Sequence, residues 1–409
     1  MASTRDEVRG WVREHWHPEL SLREWRELLV DSGWACPSWP AEWLGRGLPP
    51  ETDAIVEDEL AAAGAVGTPM GVGMGLAAPT MLAHGSDDLK ARLLRPLVTG
   101  EHTWCQLFSE PGSGSDLAGL TTRAERDGDE WVVNGQKVWN TSAHHADYGL
   151  LLARTDWDVP KHRGITYFAC PMRQPGVEVR PLRQMNGHAS FNEVFLTDVR
   201  VPAANVVGDV GSGWGVAVTT LAFERRSFAT FGRRGPLEGD GRAVREARAE
   251  ADSWFKTYEW YPQRTGRVDL VVERAQATGR AADPVVRQRV ASLLSMQRVA
   301  LWTAQRARAA QQQGRTPGPE GSLGKLGASH IARAAAEVHA LITGPAGMLA
   351  GGDAPLGGLI TEVLLSVPAI SIAGGTDEIQ RNILGERVLG LPKEPQVDRD
   401  LPFREVRRN

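Results

Sequence analysis

Several residue types that identify protein classes are scarce or absent in this chain. Its 409 residues hold three cysteines, Cys36, Cys105 and Cys170, with no CxxC pair and no Cys/His cluster. An odd set so spaced builds neither a disulfide framework nor a structural zinc site, so a metal-free protein of the reducing cytoplasm is expected. A surplus of positive charge is also missing. The 46 Lys and Arg against 50 Asp and Glu give a net charge of -4, which argues against nucleic acid as a partner. Lysine itself is rare, with six in the chain, and the remaining basic residues are Arg. No long hydrophobic run exists either. The longest uncharged stretch, Ala61 to Gly85, is broken by Pro69, Pro79 and five glycines, which suits buried helices better than a bilayer span. Met1 to Glu14 alternates charged with apolar residues and lacks the core of a signal peptide.

What is present falls into three textures. Residues 1–102 read as helical: Trp11, Trp16, Leu22 and Trp25 space a short amphipathic segment, and Glu51 to Gly64 is a run of helix formers behind Pro49 and Pro50. Residues 103–208 change to short apolar runs and turns. Asn134-Gly135 between Trp131 and Thr141 is the strongest hairpin signal, and Asp127-Gly128 gives another turn. Residues 209–409 return to helices over Trp214–Phe231, Pro284–Gln313, Ser322–Thr343 and Thr376–Leu389. An extra segment at 232–279 carries Trp254, Tyr258, Trp260 and Tyr261 close together and reads as a packed excursion on the surface. The expected fold is α+β, mainly α: a helical N-terminal domain, a central antiparallel β-domain and a C-terminal four-helix-type bundle.

Three glycine-rich strings invite a phosphate-loop reading. Gly71-x-Gly73-x-Gly75 has the wrong spacing for a dinucleotide fingerprint and no strand before it. Gly208 to Gly215 reads as a flexible entry to a helix. The third string, WCQLFSEPGSGSDLAG at Trp104–Gly119, lies where helices give way to strands. Pro111, Gly112 and Gly114 force a tight turn with free N-H groups, and Ser109, Ser113 and Ser115 add hydroxyls, so the loop can bond the polar edge of a planar ring or a pyrophosphate. Twenty residues on, Trp139 and Thr141 of WNTS stand two apart on a strand and share a face. Turn chemistry and core packing explain each string equally well when taken alone.

Taken together, SEPGSGSDLAG, VNGQKVWNTS and AGGTDEIQRNILGERVLGLP resemble, in order and spacing, the signature segments of the acyl-CoA dehydrogenase family. The resemblance runs through nearly the whole chain, and the three-part fold of that family matches the three textures. It implies FAD-dependent α,β-dehydrogenation of an acyl-CoA, an electron-transferring flavoprotein or similar acceptor, and a homo- or hetero-oligomer, dimer or tetramer. It also implies roles for particular residues. Gln106, Phe108, Ser109, Gly114 and Ser115 belong to the flavin loop, with Ser115 between flavin and substrate. Trp139 flanks the flavin ring and Thr141 reaches it. Gly375, Thr376 and Glu378 open a helix whose first-turn N-H groups receive polar flavin atoms.

The base departs from the best-known pattern. Many members carry Glu directly before the Gly-Thr pair, where this chain has Gly374 after Ala373. A second solution in the family puts the base on the first helix of the C-terminal domain before an Arg, which matches Glu224 and Arg225 in TTLAFERRSF. Helical phase agrees, since Ala217, Leu221, Glu224 and Phe228 form one stripe, although a partner such as Arg225 or Arg226 explains a carboxylate there as well. Arg225 then lies near the CoA moiety. The family's Arg-x-x-Phe segment is not evident; Arg280 stands near its place, with Gln288 nearby, and Leu341 replaces an expected Gln. Small residues at Ala373 and Gly374 are expected to enlarge the acyl pocket for branched or cyclic groups. Two alternatives stay open: a non-catalytic, half-site partner subunit of a heteromeric dehydrogenase, and a family oxidase or monooxygenase using oxygen.

Overall fold

The computed structural model describes residues 3–230, 237–313, 318–319 and 321–406; the side chains of 225–230, 254–255, 257 and 311–312 lie outside the described residues. The chain forms two compact units: Met1–Leu182 with Ala189–Thr257 and Val397–Asn409, and Arg183–His188 with Tyr258–Gln396.

In the first unit the helices start where serine can cap them. Ser3 opens α1 (Thr4–His15) and Ser21 opens α2 (Leu22–Asp31), each in a capping box with the acidic residue three positions on. The expected single segment from Trp11 to Trp25 is therefore two helices. The chain must turn at Trp16–Leu20 because Ser21 starts a new helix. α3 (Glu51–Ala62) follows, and Trp25 is fully buried among Val8, Val12, Leu29 and Val56. α4 (Ala78–His84) and α5 (Asp87–Thr99), the latter capped by Ser86, supply Met81, Leu89, Leu93 and Leu97 to a second cluster beneath the sheet.

A seven-stranded sheet comes next: β1 (Trp104–Leu107), β2 (Arg123–Asp127), β3 (Glu130–Thr141), β4 (Tyr148–Arg154), β5 (Ile165–Pro171), β6 (Val177–Leu182) and β7 (Phe191–Pro202). The spatial order is β1-β4-β2-β3-β7-β6, with β5 on the other edge of β4. Most pairings are antiparallel, but β1 runs parallel to β4 and β2 meets β4 through one parallel pair, so the sheet is mixed. The first two strands were not expected as strands. β1 lies inside the loop motif, and β2 is charged along its exposed face, so only Ala124 signals an inward side chain.

The expected Asn134-Gly135 hairpin is corrected. The turn lies at Gly128-Asp129 between β2 and β3, where Asp127 pairs with Glu130, and Asn134-Gly135 sits in mid-strand at a bulge against β7. Asn134 exchanges two side-chain hydrogen bonds of 3.0 Å with Asp198, whose φ of 51° marks the facing irregularity. Glycine is needed at 135 because a Cβ there would approach Thr122 Cα to 2.7 Å.

α6 (Gly213–Thr230) packs on β5 and α4. α7 (Arg242–Tyr258) then docks on the N-terminal helices, burying Ala243, Val244 and Ala247. Arg26, itself buried, holds Glu250 at 2.7 and 2.8 Å, and Glu246 accepts the Leu22 N-H at 2.7 Å. The segment expected as a surface excursion is thus partly core, since an amphipathic helix has an apolar face to cover.

The second unit holds α8 (Tyr261–Arg264), α9 (Val271–Ala277), α10 (Pro284–Gln312), α11 (Gly321–Thr343), α12 (Leu359–Ser366) and α13 (Asp377–Ile383). Val271, Val286, Leu293, Ala335, Val338 and Ile342 form its core. Trp260 is fully buried with Tyr261 packed edge-on at 5.0 Å, while the Trp254 side chain lies outside the described residues. The loop 183–188 is fastened within this unit by His188, whose ring nitrogens meet Glu259 at 3.0 Å and Glu362 at 2.9 Å.

Gly135→Ala is expected to destabilise the protein by about 1–3 kcal/mol through overpacking against Thr122. A thermal or urea midpoint equal to wild type would show that the bulge tolerates a side chain.

Candidate active site

The loop motif begins as β1 and leaves the sheet at Phe108. Three contacts tie it to β3: the Ser109 carbonyl accepts the Val138 N-H at 2.9 Å, the Gln106 carbonyl accepts Asn140 Nδ2 at 2.7 Å, and the Phe108 carbonyl accepts Lys137 Nζ at 3.1 Å. Gln106, Phe108 and Ser109 therefore lie directly beside the strand that carries Trp139 and Thr141. The turn after them is closed by reciprocal bonds of 3.0 Å between Glu110 and Ser113, so two of the expected free N-H groups are used internally. Gly114 and Ser115 are exposed beyond it, and a Cβ at Gly112 or Gly114 would meet nothing within 4 Å.

Trp139 is 57% exposed. Its φ of 63° is unusual for a bulky residue and coincides with a second break in the β3–β7 register, between Lys137 and Asn140. At this bulge Lys137, Val138 and Asn140 are buried, Thr141 is half-buried and Trp139 is exposed. Phe191 meets the indole edge-on at 5.7 Å. The simple alternation expected of this strand is thus interrupted by a bulge at Trp139.

Beneath the loop lies a buried ion pair that sequence reading missed. Lys137 is fully buried and its Nζ lies 2.8 Å from Glu110 Oε1; the same carboxylate accepts Thr121 N-H at 2.7 Å, Thr121 Oγ1 at 2.9 Å and Thr122 N-H at 2.9 Å. Burial alone would raise the Glu110 carboxyl, but the Lys137 ammonium and these hydrogen bonds outweigh it and hold it at about 2. The available hint was a rare lysine placed next to apolar Val138 on a strand, with one acid inside the neighbouring motif.

Glu224 stands half-buried on α6. One turn earlier Thr220 is fully buried, and its hydroxyl lies 3.1 Å from the Tyr167 hydroxyl and 3.0 Å from that of Thr80. The Tyr167 ring meets Phe108 edge-on at 5.8 Å. Residues i and i+4 share a helix face, so Glu224 is carried on the side of α6 that is keyed to the loop. Ala217 is buried and Leu221 packs on the same cluster, as the stripe required; the Phe228, Arg225 and Arg226 side chains lie outside the described residues.

The remaining expected residues belong to the second unit. Gly374 and Gly375 have φ of 68° and 84°, and Gln380 Nε2 donates to both carbonyls, at 3.0 and 3.4 Å. Thr376 caps α13 by accepting the Ile379 N-H at 3.2 Å, so that first-turn donor is satisfied internally. Glu378 points to Arg381 at 3.1 Å, on the surface. The acid that anchors this turn is Asp377, not singled out from sequence: buried, it meets Lys325 at 3.1 Å, Arg333 at 3.3 Å and Ser329 at 2.8 Å. Arg280 contacts the Leu341 carbonyl at 3.3 Å and Asp283 at 3.4 Å, while its Nε is buried with no hydrogen-bond partner.

Models of known families match all three parts of the chain: the acyl-CoA dehydrogenase N-terminal domain over residues 2–101, the middle domain over 105–199 and the C-terminal domain over 267–389. Acyl-CoA dehydrogenase IpdE1 of Mycobacterium tuberculosis is 34% identical over 95% of this chain and 97% of its own. Acyl-CoA dehydrogenase FadE34 of the same organism is 37% identical over 96% of this chain, which spans about half of it, 49%. Among solved structures, the ChsE4-ChsE5 complex from Mycobacterium tuberculosis matches with TM-score 0.65 and 28% identity over 96% of this chain and 99% of that one. The steroid ACAD Tcur3481-Tcur3483 matches with TM-score 0.68 and 26% identity over 95% and 97%. The family is one of flavoprotein oxidoreductases acting in lipid metabolism. The chain belongs to the acyl-CoA dehydrogenase family.

Lys137→Met is expected to cost about 3–5 kcal/mol by stranding a buried carboxylate, and the double variant K137M/E110Q to recover most of it. Denaturant titration checks this; equal losses in single and double variants would refute the pair. The ionised Glu110 stabilises the fold above the ordinary carboxylate range, and this contribution is lost as pH falls toward 2. Acid titration of wild type against the double variant reads that window.

Proposed function

We propose that the chain carries out FAD-dependent α,β-dehydrogenation of an acyl-CoA thioester to the 2-enoyl-CoA, with Glu224 as the base. The observation that carries the reading is the alignment of Glu224 with Thr220, Tyr167 and Phe108, which keys the carboxylate's helix face to the loop beside Trp139. The residues fit a flavin: an exposed indole at a bulge, open space over Gly112 and Gly114, and a buried Asn140 Oδ1 with no hydrogen-bond partner next to Trp139. Gln106, Phe108, Ser109, Gly114, Ser115, Trp139 and Thr141 would hold its ring. Arg280, Gly375, Thr376 and Glu378 would serve its remaining polar atoms, in the same or a neighbouring subunit. Bound FAD supplies the acceptor for the β-hydrogen, which leaves as hydride.

Glu224 takes the α-proton. A proton beside a thioester is far too weakly acidic for a solvated carboxylate, so the base has to work with water excluded and its affinity for the proton raised. A half-buried face of α6 next to Leu221 and Phe223 supports that requirement. Ser115 and Arg225 would hold the substrate.

Gly374 supports a wide acyl pocket, since a Cβ there would meet nothing within 4 Å. With the name of the steroid ACAD neighbour, this favours branched or cyclic acyl groups. The ChsE4-ChsE5 complex, together with the exposed Val299, Leu301 and Trp302 on α10, supports assembly with a second chain, of the same or a related kind. An electron-transferring flavoprotein or a similar carrier would reoxidise the enzyme. Among the described residues no helix is long and apolar enough to cross a membrane. Residues 1–102, 103–208 and 209–409 form the proposed functional division of the chain, with the extra segment at 232–279 in the last.

Glu224→Gln is expected to retain FAD but to slow anaerobic flavin bleaching by acyl-CoA at least about a hundredfold; undiminished bleaching would remove Glu224 from the role. Across an acyl-CoA panel, branched and cyclic substrates should give the higher kcat/KM. Equal or better turnover of linear chains would sink that preference, and a purified chain that binds no FAD alone would favour the half-site partner reading.

A further inference from the structure

We propose that the segment Val397–Val406 is a brace that positions the SEPGSGSD loop, acting through Arg154 and Lys161. The brace rests on the flavin reading only for its effect on cofactor binding; its contacts stand by themselves. Phe403, 2% exposed, inserts beside the turn that follows β4. Its N-H donates to the Val159 carbonyl at 3.0 Å, and the Arg404 N-H donates to that of Trp157 at 3.1 Å, forming a short backbone seam. Arg404 also pairs with Asp158. The Phe403 ring lies 3.4 Å from the Arg154 guanidinium and 5.4 Å from the Trp157 ring.

Arg154 connects this seam to the loop. Fully buried, it donates to the Ala118 carbonyl at 2.7 Å, to that of Leu120 at 3.2 Å and to that of Lys161 at 3.1 Å. Ala118 lies at the end of the motif and Leu120 directly follows it. A guanidinium taken out of water needs its donors satisfied and its charge faced by something polarisable, and the Phe403 ring supplies one such face. Lys161 makes the second connection: its Nζ reaches Asp116 Oδ2, at the end of the SEPGSGSD loop, at 3.0 Å, and Asp398 Oδ2 of the brace at 3.3 Å. The end of the loop is thus held from outside by two cations, and both are held in place by residues about 240 positions away in sequence. Glu110 and Lys137 fix the start of the loop, and the brace fixes its end. Phe403 and Asp398 are positioning residues, acting on the loop through Arg154 and Lys161.

Two full-length variants test this, Phe403→Ala and the milder Asp398→Asn, with amide hydrogen exchange as the first readout. In FAD-free protein, the amides of Ser113, Gly119 and Leu120 should exchange at least about tenfold faster in both variants, while those of α1–α3 stay as in wild type. The second readout is FAD affinity and the absorption spectrum of bound flavin: Kd should rise about tenfold and the bands should shift, which a general loss of stability would not produce. Unchanged exchange at these amides in Asp398→Asn overturns the brace, whether or not Phe403→Ala folds. Faster exchange with unchanged FAD affinity and spectrum overturns its positioning role. Wild-type protein that binds no FAD overturns the flavin reading and leaves the exchange result to decide the brace.

Discussion

The site rests on one buried charge pair. Moving a carboxylate and an ammonium out of water costs several kcal/mol each, and their attraction repays this only when hydrogen bonds satisfy what remains. Glu110 and Lys137 meet that condition: the carboxylate accepts from Nζ and from both Thr121 and Thr122, and Nζ also donates to the Phe108 carbonyl. The geometry admits little slack, since a small slip of β3 against the loop would leave both charges unpaired in the interior. The pair therefore works as a register pin. Lys137 and its strand neighbour Val138 are both buried, and they lie at the bulge where Trp139 takes its positive φ. The exposed indole and the buried ammonium therefore stand at the same irregularity.

Most of the large elements were legible in sequence because their signals are local. α3, α6, α10 and α11 follow from helical phase and flanking prolines or glycines, and β4 and β5 from short apolar runs. The misreadings share a cause. Asn134-Gly135 has the chemistry of a tight turn, but Gly128 turns the chain first, and the glycine is then required by the close approach of Thr122 across the sheet. β1 was hidden because its residues also belong to the loop motif, and α7 looked like surface because its partners, Arg26 and the Leu22 N-H, are more than 200 residues away. Non-local pairing has no periodicity to read.

The same distinction separates the site residues. Those expected to touch a ligand were visible as motifs, since polar groups in glycine-rich turns stand out against the background. The residues that hold them were not: Lys137, Thr220, Tyr167, Asp377 and Arg154 look like ordinary strand or helix positions until the fold brings their partners together. Asp377 is the clearest case. It sits between Thr376 and Glu378, both singled out, yet Asp377 is the one that is buried, bound by Lys325, Arg333 and Ser329. Sequence neighbours on a helix point in different directions, and only the burial of one of them distinguishes support from surface.

The turn at Gly374 bears on where a base can stand in this chain. Two consecutive residues there hold left-handed backbone, and Gln380 fixes both carbonyls, so the local conformation is one that glycine adopts freely. A glutamate at 374 would have the room, because nothing lies within 4 Å of its Cβ, but would carry the left-handed penalty of about 1–2 kcal/mol in a turn whose shape is already set. On the proposed reading, α6 avoids that conflict. Glu224 sits in regular helix, its backbone hydrogen bonds are made by the helix itself, and one turn earlier Thr220 ties that helix to Tyr167. On that reading the left-handed turn at Gly374 does not have to carry the base, and a helical position supplies it without backbone strain.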